Sequence, residues 1–205
     1  MIETNDHLYR LNAHDLPRAG QTLNEAFRDD PVWNRIFDGV PHRENRRRAF
    51  FETPVRYCLR YGTVRVTSRR LEGVAAWVPG ELAGMSFPRM IRSGAIRPGM
   101  RVGTAVMRKL MRSLGTLDTD RKEIMKGRPY LYLAVIGVAP AFQGRGFGGT
   151  LLKALFEECG KISRSVYLET ETEENVRMYE HFGFKTASRI ILPGIDLPMW
   201  QMVRE

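Results

Sequence analysis

Residues 130–138, Tyr-Leu-Tyr-Leu-Ala-Val-Ile-Gly-Val, are an almost unbroken apolar run. A strand covered on both faces reads this way, whereas a half-exposed strand alternates. Glycine then fills four of the six positions 144–149, and helix periodicity follows over about 148–159. Residues 165–170, Ser-Val-Tyr-Leu-Glu-Thr, read as a second buried strand. Strand, loop, helix and strand make a βαβ unit, so the two strands are predicted to run parallel. Gly137, near the end of the first, marks a bulge or a close backbone approach.

Around this unit the pattern is antiparallel. Short strands are expected at 7–12, 61–68 and 73–79, and a terminal pair at 184–193 and 197–203. Asp15 is placed to cap a helix with the apolar stripe Leu16, Ala19, Leu23, Ala26 and Phe27, and Pro31 opens another. Residues 42–61 are amphipathic, with Pro54 marking a kink or a restart. Residues 79–100 carry three prolines and four glycines, the composition of an irregular, substrate-facing connection. A helix over 101–114 and another over 174–182, stopped by Gly183, complete the reading. The expectation is one domain over 1–205, with a substrate-side insertion at about 79–128. Its class is mixed α/β, a mostly antiparallel central sheet containing one parallel βαβ unit.

Two distant thiols, Cys58 and Cys159, form neither a disulfide framework nor a zinc site, and a reducing cytoplasm suits them. His7, His14, His42 and His181 lack metal-ligand spacing, so no metal is expected. The N-terminus, Met-Ile-Glu-Thr-Asn-Asp, is unlike a secretory signal, and no apolar run is long enough for a membrane span. The net charge of +9 is uneven: residues 89–128 hold eleven Lys or Arg against three acids. Solvated helix faces account for this, and so would a field that draws in an anionic ligand. The basic helix at 101–114 is read as core-facing with a solvated basic side rather than membrane-lying, and no membrane partner is expected. No aromatics interleave with these charges and no nucleic-acid motif accompanies them, so no nucleic-acid partner is expected.

The glycines have a physical use. The first amides of a helix lack intrahelical acceptors and sit where the macrodipole is positive. Without Cβ atoms a phosphate can come up to that backbone, and Arg145 adds a full charge. No Gly-Lys-Ser/Thr follows, so this is not a nucleotide P-loop. Gly144, Gly146 and Gly149 satisfy a dinucleotide pattern, and Glu169 falls where a ribose-binding acid would sit. Against that reading, residues 139–143 separate strand from glycine and only 36 residues follow Glu169.

Gln143-Gly144-Arg145-Gly146-Phe147-Gly148 resembles the Q/R-x-x-G-x-G/A motif of the GCN5-related N-acetyltransferases (GNAT). The preceding strand ending Ile-Gly-Val-Ala-Pro and the block from Leu168 to Phe184 are also similar to that family, whose fold is the acyl-CoA N-acyltransferase fold. The likeness is good over roughly 128–192. Within the family it is greatest to puromycin-acetyltransferase-like members, through Ala26-Phe27, Asp30-Pro31 and residues 74–81.

The resemblance implies acetyl-CoA as co-substrate and a small-molecule amine as acceptor, with direct attack and no covalent enzyme intermediate. It implies that the amides of Gly144, Arg145, Gly146, Gly148 and Gly149 hold the pyrophosphate, with Gln143 at the loop entrance. Ile136, Gly137 and Val138 would pair with the pantetheine arm, and Asn175 would touch it. Tyr179 matches the tyrosine that protonates the departing thiolate, though an aromatic at this spacing also suits a core with Val176 and Phe182. Glu169 is the candidate base, or a residue that orients substrate or makes an ion pair; Asp29, Asp30 and Trp77 are candidates for the acceptor side. Family members are often dimers, so a homodimer is possible. The alternatives are a non-catalytic acyl-CoA-binding or regulatory module and a basic nucleic-acid-binding protein. Thiol release with an amine, and salt-dependent DNA binding, separate the three readings.

Overall fold

The computed structural model describes residues 8–205. Seven strands form one sheet in the order β1-β2-β3-β4-β5-β7-β6: β1 Tyr9–Arg10, β2 Thr63–Val66, β3 Gly73–Pro79, β4 Tyr130–Val138, β5 Ser165–Thr170, β6 Lys185–Leu192 and β7 Leu197–Arg204. Only β4 and β5 are parallel, as the βαβ pattern requires. Of the strand expected at 7–12, His7 lies outside the described residues and only Tyr9–Arg10 pair, with Val66 and Arg65.

One face of the sheet carries α1 Leu16–Ala26, α2 Pro31–Ile36 and α3 Arg43–Tyr61, with α5 Ile96–Val102 and α6 Thr104–Leu114 outside them. The other carries α8 Phe147–Ile162 and α9 Glu173–His181. The apolar periodicity of α8 puts Leu151, Leu152 and Leu155 inside, where each contributes about 1.5–3 kcal/mol by leaving water.

Several expectations are corrected. Asp15 does not cap α1 with its side chain: its backbone (φ −86, ψ −5) is already helical, so the carboxylate cannot turn back to the amides. It pairs instead with His14 at 3.3 Å and Arg18 at 3.6 Å. Helix α3 runs through Pro54 without a restart, because Phe51, Val55 and Cys58 keep one stripe packed on either side of it. The 79–100 segment is largely helical. It holds a 3-10 turn at Gly80–Leu82, then α4 Phe87–Ser93 and α5. Pro88 sits in the first turn of α4 and Pro98 in that of α5, where the missing N–H costs nothing. Gly103 (φ +90) divides the helix expected over 101–114; the Arg46 guanidinium occupies the place its side chain would take. A helix left unassigned by the pattern, α7 Leu117–Met125, leads into β4.

Gly137 is a close approach and not a bulge. A Cβ there would lie 2.9 Å from Ala26 Cβ and 3.0 Å from a Leu23 methyl, so α1 rests directly on β4. The bulge falls at Ala134: Ala76 faces Val135 and Trp77 faces Leu133, leaving Ala134 extra.

Candidate functional site

After β4 the chain makes a 3-10 turn, Pro140–Phe142, and reaches Gly144 (φ +74) and Gly146 (φ +82). Those left-handed angles turn the backbone into α8, and only glycine adopts them freely. The first helical bond is Thr150 N–H to Gly146 O at 3.0 Å. Among the described residues, no amide of 144–149 donates to a backbone carbonyl. Nothing lies within 4 Å of where a Cβ would project from Gly144 or Gly146. These amides face open space at the positive end of a 16-residue helix, a cradle for an anion. Arg145 is exposed beside it, its guanidinium 5.5 Å from the Phe142 ring centre. The Gln143 amide turns the other way and donates to Val138 O at 3.0 Å, closing the end of β4.

That cradle stands at the mouth of a wedge. β4 and β5 pair only from Tyr130–Tyr132 to Ser165–Tyr167, then diverge. From Leu133 to Val138, β4 is bonded on the β3 side alone, and β5 stays with β7. Ile136, Gly137 and Val138 therefore lie along a free strand edge, able to accept an extended chain bearing amides.

Helix α9 closes the β5 side. Thr172 caps it by accepting from Asn175 N at 3.2 Å. Asn175 and Tyr179, four apart, share a face. Tyr179 is buried with Val176 and Phe184, its ring 5.4 Å from Phe184 in an edge contact. Burial, and then the carboxylate of Glu171, hold its phenol well above the ordinary range, so it remains a proton donor at neutral pH.

On the opposite face of β5, Glu169 meets Arg121 of α7 at 3.4 Å, and Arg121 also binds Asp118. The guanidinium lies 4.5 Å from the Tyr132 ring centre. Burial pushes the Glu169 carboxyl up; Arg121 and the Tyr132 and Tyr167 hydroxyls pull it back. Glu171, the first residue beyond β5, is close enough to Glu169 to feel its charge. It stands near Asp30, which precedes α2 and accepts from Val32 N and Trp33 N at 3.0 Å each. Burial pushes Asp30 up to about 6, against the pull of those amides and of Arg47. Burial and the charge of Asp30 push Glu171 well above the usual carboxylate range. Both carboxyls therefore hold their protons to a higher pH than solvated carboxyls do.

Arg47, 1% exposed, fixes the turn that carries Asp30: it donates to Asn24 Oδ1 at 2.6 Å and to Arg28 O at 3.3 Å. The Trp33 indole N–H and both amide atoms of Gln201, across from Glu169 on β7, are buried without a closed hydrogen bond among the described residues.

The structure thus groups Gln143, Gly144, Arg145, Gly146, Gly148 and Gly149 at one end of the wedge and Asn175, Tyr179 and Glu169 around it. Trp77 does not join them; it is buried in the core under α8. Asp29 is exposed and Asp30 half-buried. Sequence reading missed Glu171, although its place just beyond β5, two residues after Glu169, was a signal. It also missed Trp33, Arg121 and Gln201, which distant segments bring in. No group of three or more His, Cys, Asp or Glu among the described residues could hold a metal ion.

A parting parallel strand pair above a glycine-lined helix start defines a class: proteins that lay an extended, phosphate-bearing carrier along a strand. Residues 106–186 match the acetyltransferase (GNAT) domain. An uncharacterised N-acetyltransferase of Schizosaccharomyces pombe is 28% identical over 96% of this chain and 82% of its own length. Two solved structures share the fold. A histone acetyltransferase-related acetyltransferase of Corynebacterium glutamicum superposes with a TM-score of 0.64 at 19% identity, covering 96% of this chain and 94% of its own. A Drosophila melanogaster polyamine N-acetyltransferase gives 0.61 at 14% identity, covering 96% and 97%. Residues 106–186 thus carry the match to the GNAT acetyltransferase domain, and the chain as a whole has the fold of these solved acetyltransferases.

Proposed function

We propose that this protein transfers the acetyl group of acetyl-CoA to the amine of a small molecule, by direct attack with both substrates bound. One observation carries the reading: the wedge has an anion cradle at one end and a half-buried carboxylate pair, Asp30 and Glu171, beside it. Among proteins of this fold, the Drosophila enzyme forms N-acetylagmatine, the product of such a transfer.

The amides of residues 144–149 and Arg145 take the diphosphate, and the free edge of Ile136, Gly137 and Val138 takes the pantetheine amides, with Asn175 beside the arm. Gln143 acts through Val138, whose carbonyl it occupies. The acceptor enters from the α1–α2 side as an ammonium ion and is held by Asp30 and Glu171. It gives up a proton there, and the free amine attacks the thioester carbonyl carbon. The C–N bond forms, the C–S bond breaks, Tyr179 donates its phenolic proton to the departing sulfur, and the proton lost by the new amide nitrogen restores the phenol by way of solvent. Glu169, held by Arg121, orients this arrangement. Direct attack is favoured over a thiol nucleophile because Cys58 and Cys159 are both buried; burial raises the Cys58 thiol and pushes Cys159 up to about 11.

The test is thiol release from acetyl-CoA against a panel of diamines, arylalkylamines, aminonucleosides and amino acids. Amine-dependent thiol release, lost in Glu171→Gln, supports the reading. Coenzyme A binding without turnover on any amine would make this a non-catalytic carrier-binding module.

A further inference from the structure

The helices between β3 and β4 present an apolar face that the fold leaves uncovered. Phe87 and Ile91 of α4 are 65% and 52% exposed, Met100 of α5 is 69% exposed, and Met107 and Met111 of α6 are 38% and 67% exposed. Of the apolar face expected for the 101–114 helix, Val106 and Leu110 are buried and Leu114 packs half-buried against the core, whereas Met107 and Met111 are exposed. Phe87 and Ile91, like Met107 and Met111, are four apart and share one side of their helix. The three helices are continuous on this side. Met90, Gly99, Met107 and Met111 border a single apolar hollow of about 230 Å³, floored by Phe50 and Leu110.

Charge surrounds this face. Residues 82–117 contain six arginines and no Asp or Glu. Arg92, Arg97, Arg101, Arg108 and Arg112 are exposed, and among the described residues none makes an ion pair closer than 4.0 Å.

Three occupants can be weighed. A second copy docked by two-fold symmetry would bring arginines against arginines, a costly match. Nucleic acid would satisfy the arginines but leave Ile91, Met100 and Met111 against a polar backbone, with one aromatic, Phe87, for stacking. An anionic bilayer satisfies both features: acyl chains take the Phe, Ile and Met side chains, while arginines reach lipid phosphates on long apolar stems. We propose that α4, α5 and α6 form a docking face for the surface of an anionic lipid bilayer. The attachment is peripheral, since no helix among the described residues is long and apolar enough to cross a membrane. It does not depend on the acceptor assigned above.

The full chain is sedimented with vesicles of phosphatidylcholine alone and of phosphatidylcholine mixed with phosphatidylglycerol. It is expected to pellet with the mixed vesicles only, and less as salt rises. Arg92→Gln and Arg108→Gln should each weaken partitioning about fivefold. Ile91→Asp and Met111→Asp should each weaken it about tenfold or more, because the apolar contact is lost and a repelling charge gained. Met100→Asp gives a third position should either variant melt early. Failure to pellet with mixed vesicles overturns the proposal. So does pelleting that the three apolar-to-Asp variants leave unchanged, which would be charge attraction alone. A wild-type dimer in light scattering that Met111→Asp dissolves would assign the face to a second copy instead.

Discussion

Replacing Gly146 by Asp separates what the glycine turn does for the fold from what it does for a ligand. A Cβ at this position meets nothing within 4 Å, so packing is untouched. The backbone is affected: φ of +82 costs an L-residue about 1–2 kcal/mol. An acid at a helix start returns about 0.3–1 kcal/mol through the macrodipole. The net loss, about 1 kcal/mol, lowers the melting temperature of a chain this long by about 2–4 °C. Ligand binding suffers far more. The carboxylate stands in the space the free amides face. At about 4 Å from a phosphate charge, its repulsion is about 1 kcal/mol if water screens fully and about 4 kcal/mol near a protein surface. Two phosphates make that at least about 2 kcal/mol, or about thirtyfold in affinity. Calorimetric titration with coenzyme A, beside a thermal melt, reads both numbers. Gly146→Ala carries the backbone cost without the charge and should bind better than Gly146→Asp. If Gly146→Asp melts a few degrees early yet binds coenzyme A within about threefold of the wild type, the cradle is not where the diphosphate sits.

Three further outcomes follow from the geometry. Tyr179→Phe keeps the ring against Phe184 and removes only the proton donor, so kcat should fall by about 100-fold or more with coenzyme A affinity unchanged; an unaltered kcat when chemistry limits turnover leaves Tyr179 a packing residue. Asp30 is raised in the folded chain from 3.8 to about 6, so its protonated form favours folding: that contribution is complete below about pH 4 and lost by about pH 6. Asp30→Asn, which can still cap α2, should therefore be unchanged or less stable than wild type at pH 4 but gain on the order of 2–3 kcal/mol relative to it by pH 7, and parallel denaturant midpoints at the two pH values would refute this. Gly137→Val drives a branched side chain into Ala26 and Leu23 and should cost about 1–3 kcal/mol, with a matching fall in melting temperature; a neutral result means α1 yields there.

The part of this structure legible in the sequence is the part whose signals are local. The apolar run at 130–138 became β4 to the residue, and Ser165–Thr170 became β5. The glycines at 144 and 146 took the positive angles that a strand-to-helix turn needs. Residues 79–102 resisted because their prolines and glycines have two meanings: Pro88 and Pro98 looked like breakers and instead sit in the first turns of helices whose lengths of seven residues leave little periodicity to detect. Asp15 and Asp30 each stand just before a helix, yet only Asp30 has the extended backbone (ψ 127) that lets its carboxylate reach the amides. The polar cluster around the end of β5 could not be assembled in advance, because Arg121, Trp33 and Gln201 come from α7, α2 and β7, and nothing local to any of them says that it meets β5.

The helices between β3 and β4 also divide the charge at the site, with a measurable consequence. Arg121 of α7 ties up Glu169 and Asp118, so of the three carboxylates near the end of β5 only Asp30 and Glu171 are left without an arginine in contact. Arg47 reaches the Asp30 turn through its backbone and Asn24, and acts on the carboxylate only from a distance. With both carboxyls raised by burial, and Glu171 also by the charge of Asp30, the empty pair keeps protons that freely solvated carboxyls would have lost. An entering ammonium ion reverses this: it supplies the positive charge that lets both ionise. Amine binding near pH 6 should therefore release up to about one proton per amine. Calorimetry of the amine that turns over, against protein holding coenzyme A, in two buffers of different ionisation enthalpy, measures that number directly. Glu171→Gln should reduce it well below the wild-type value. Heats that do not change with buffer would mean that the ammonium ion binds elsewhere, and the pair would then be a structural feature of the α1–α2 turn.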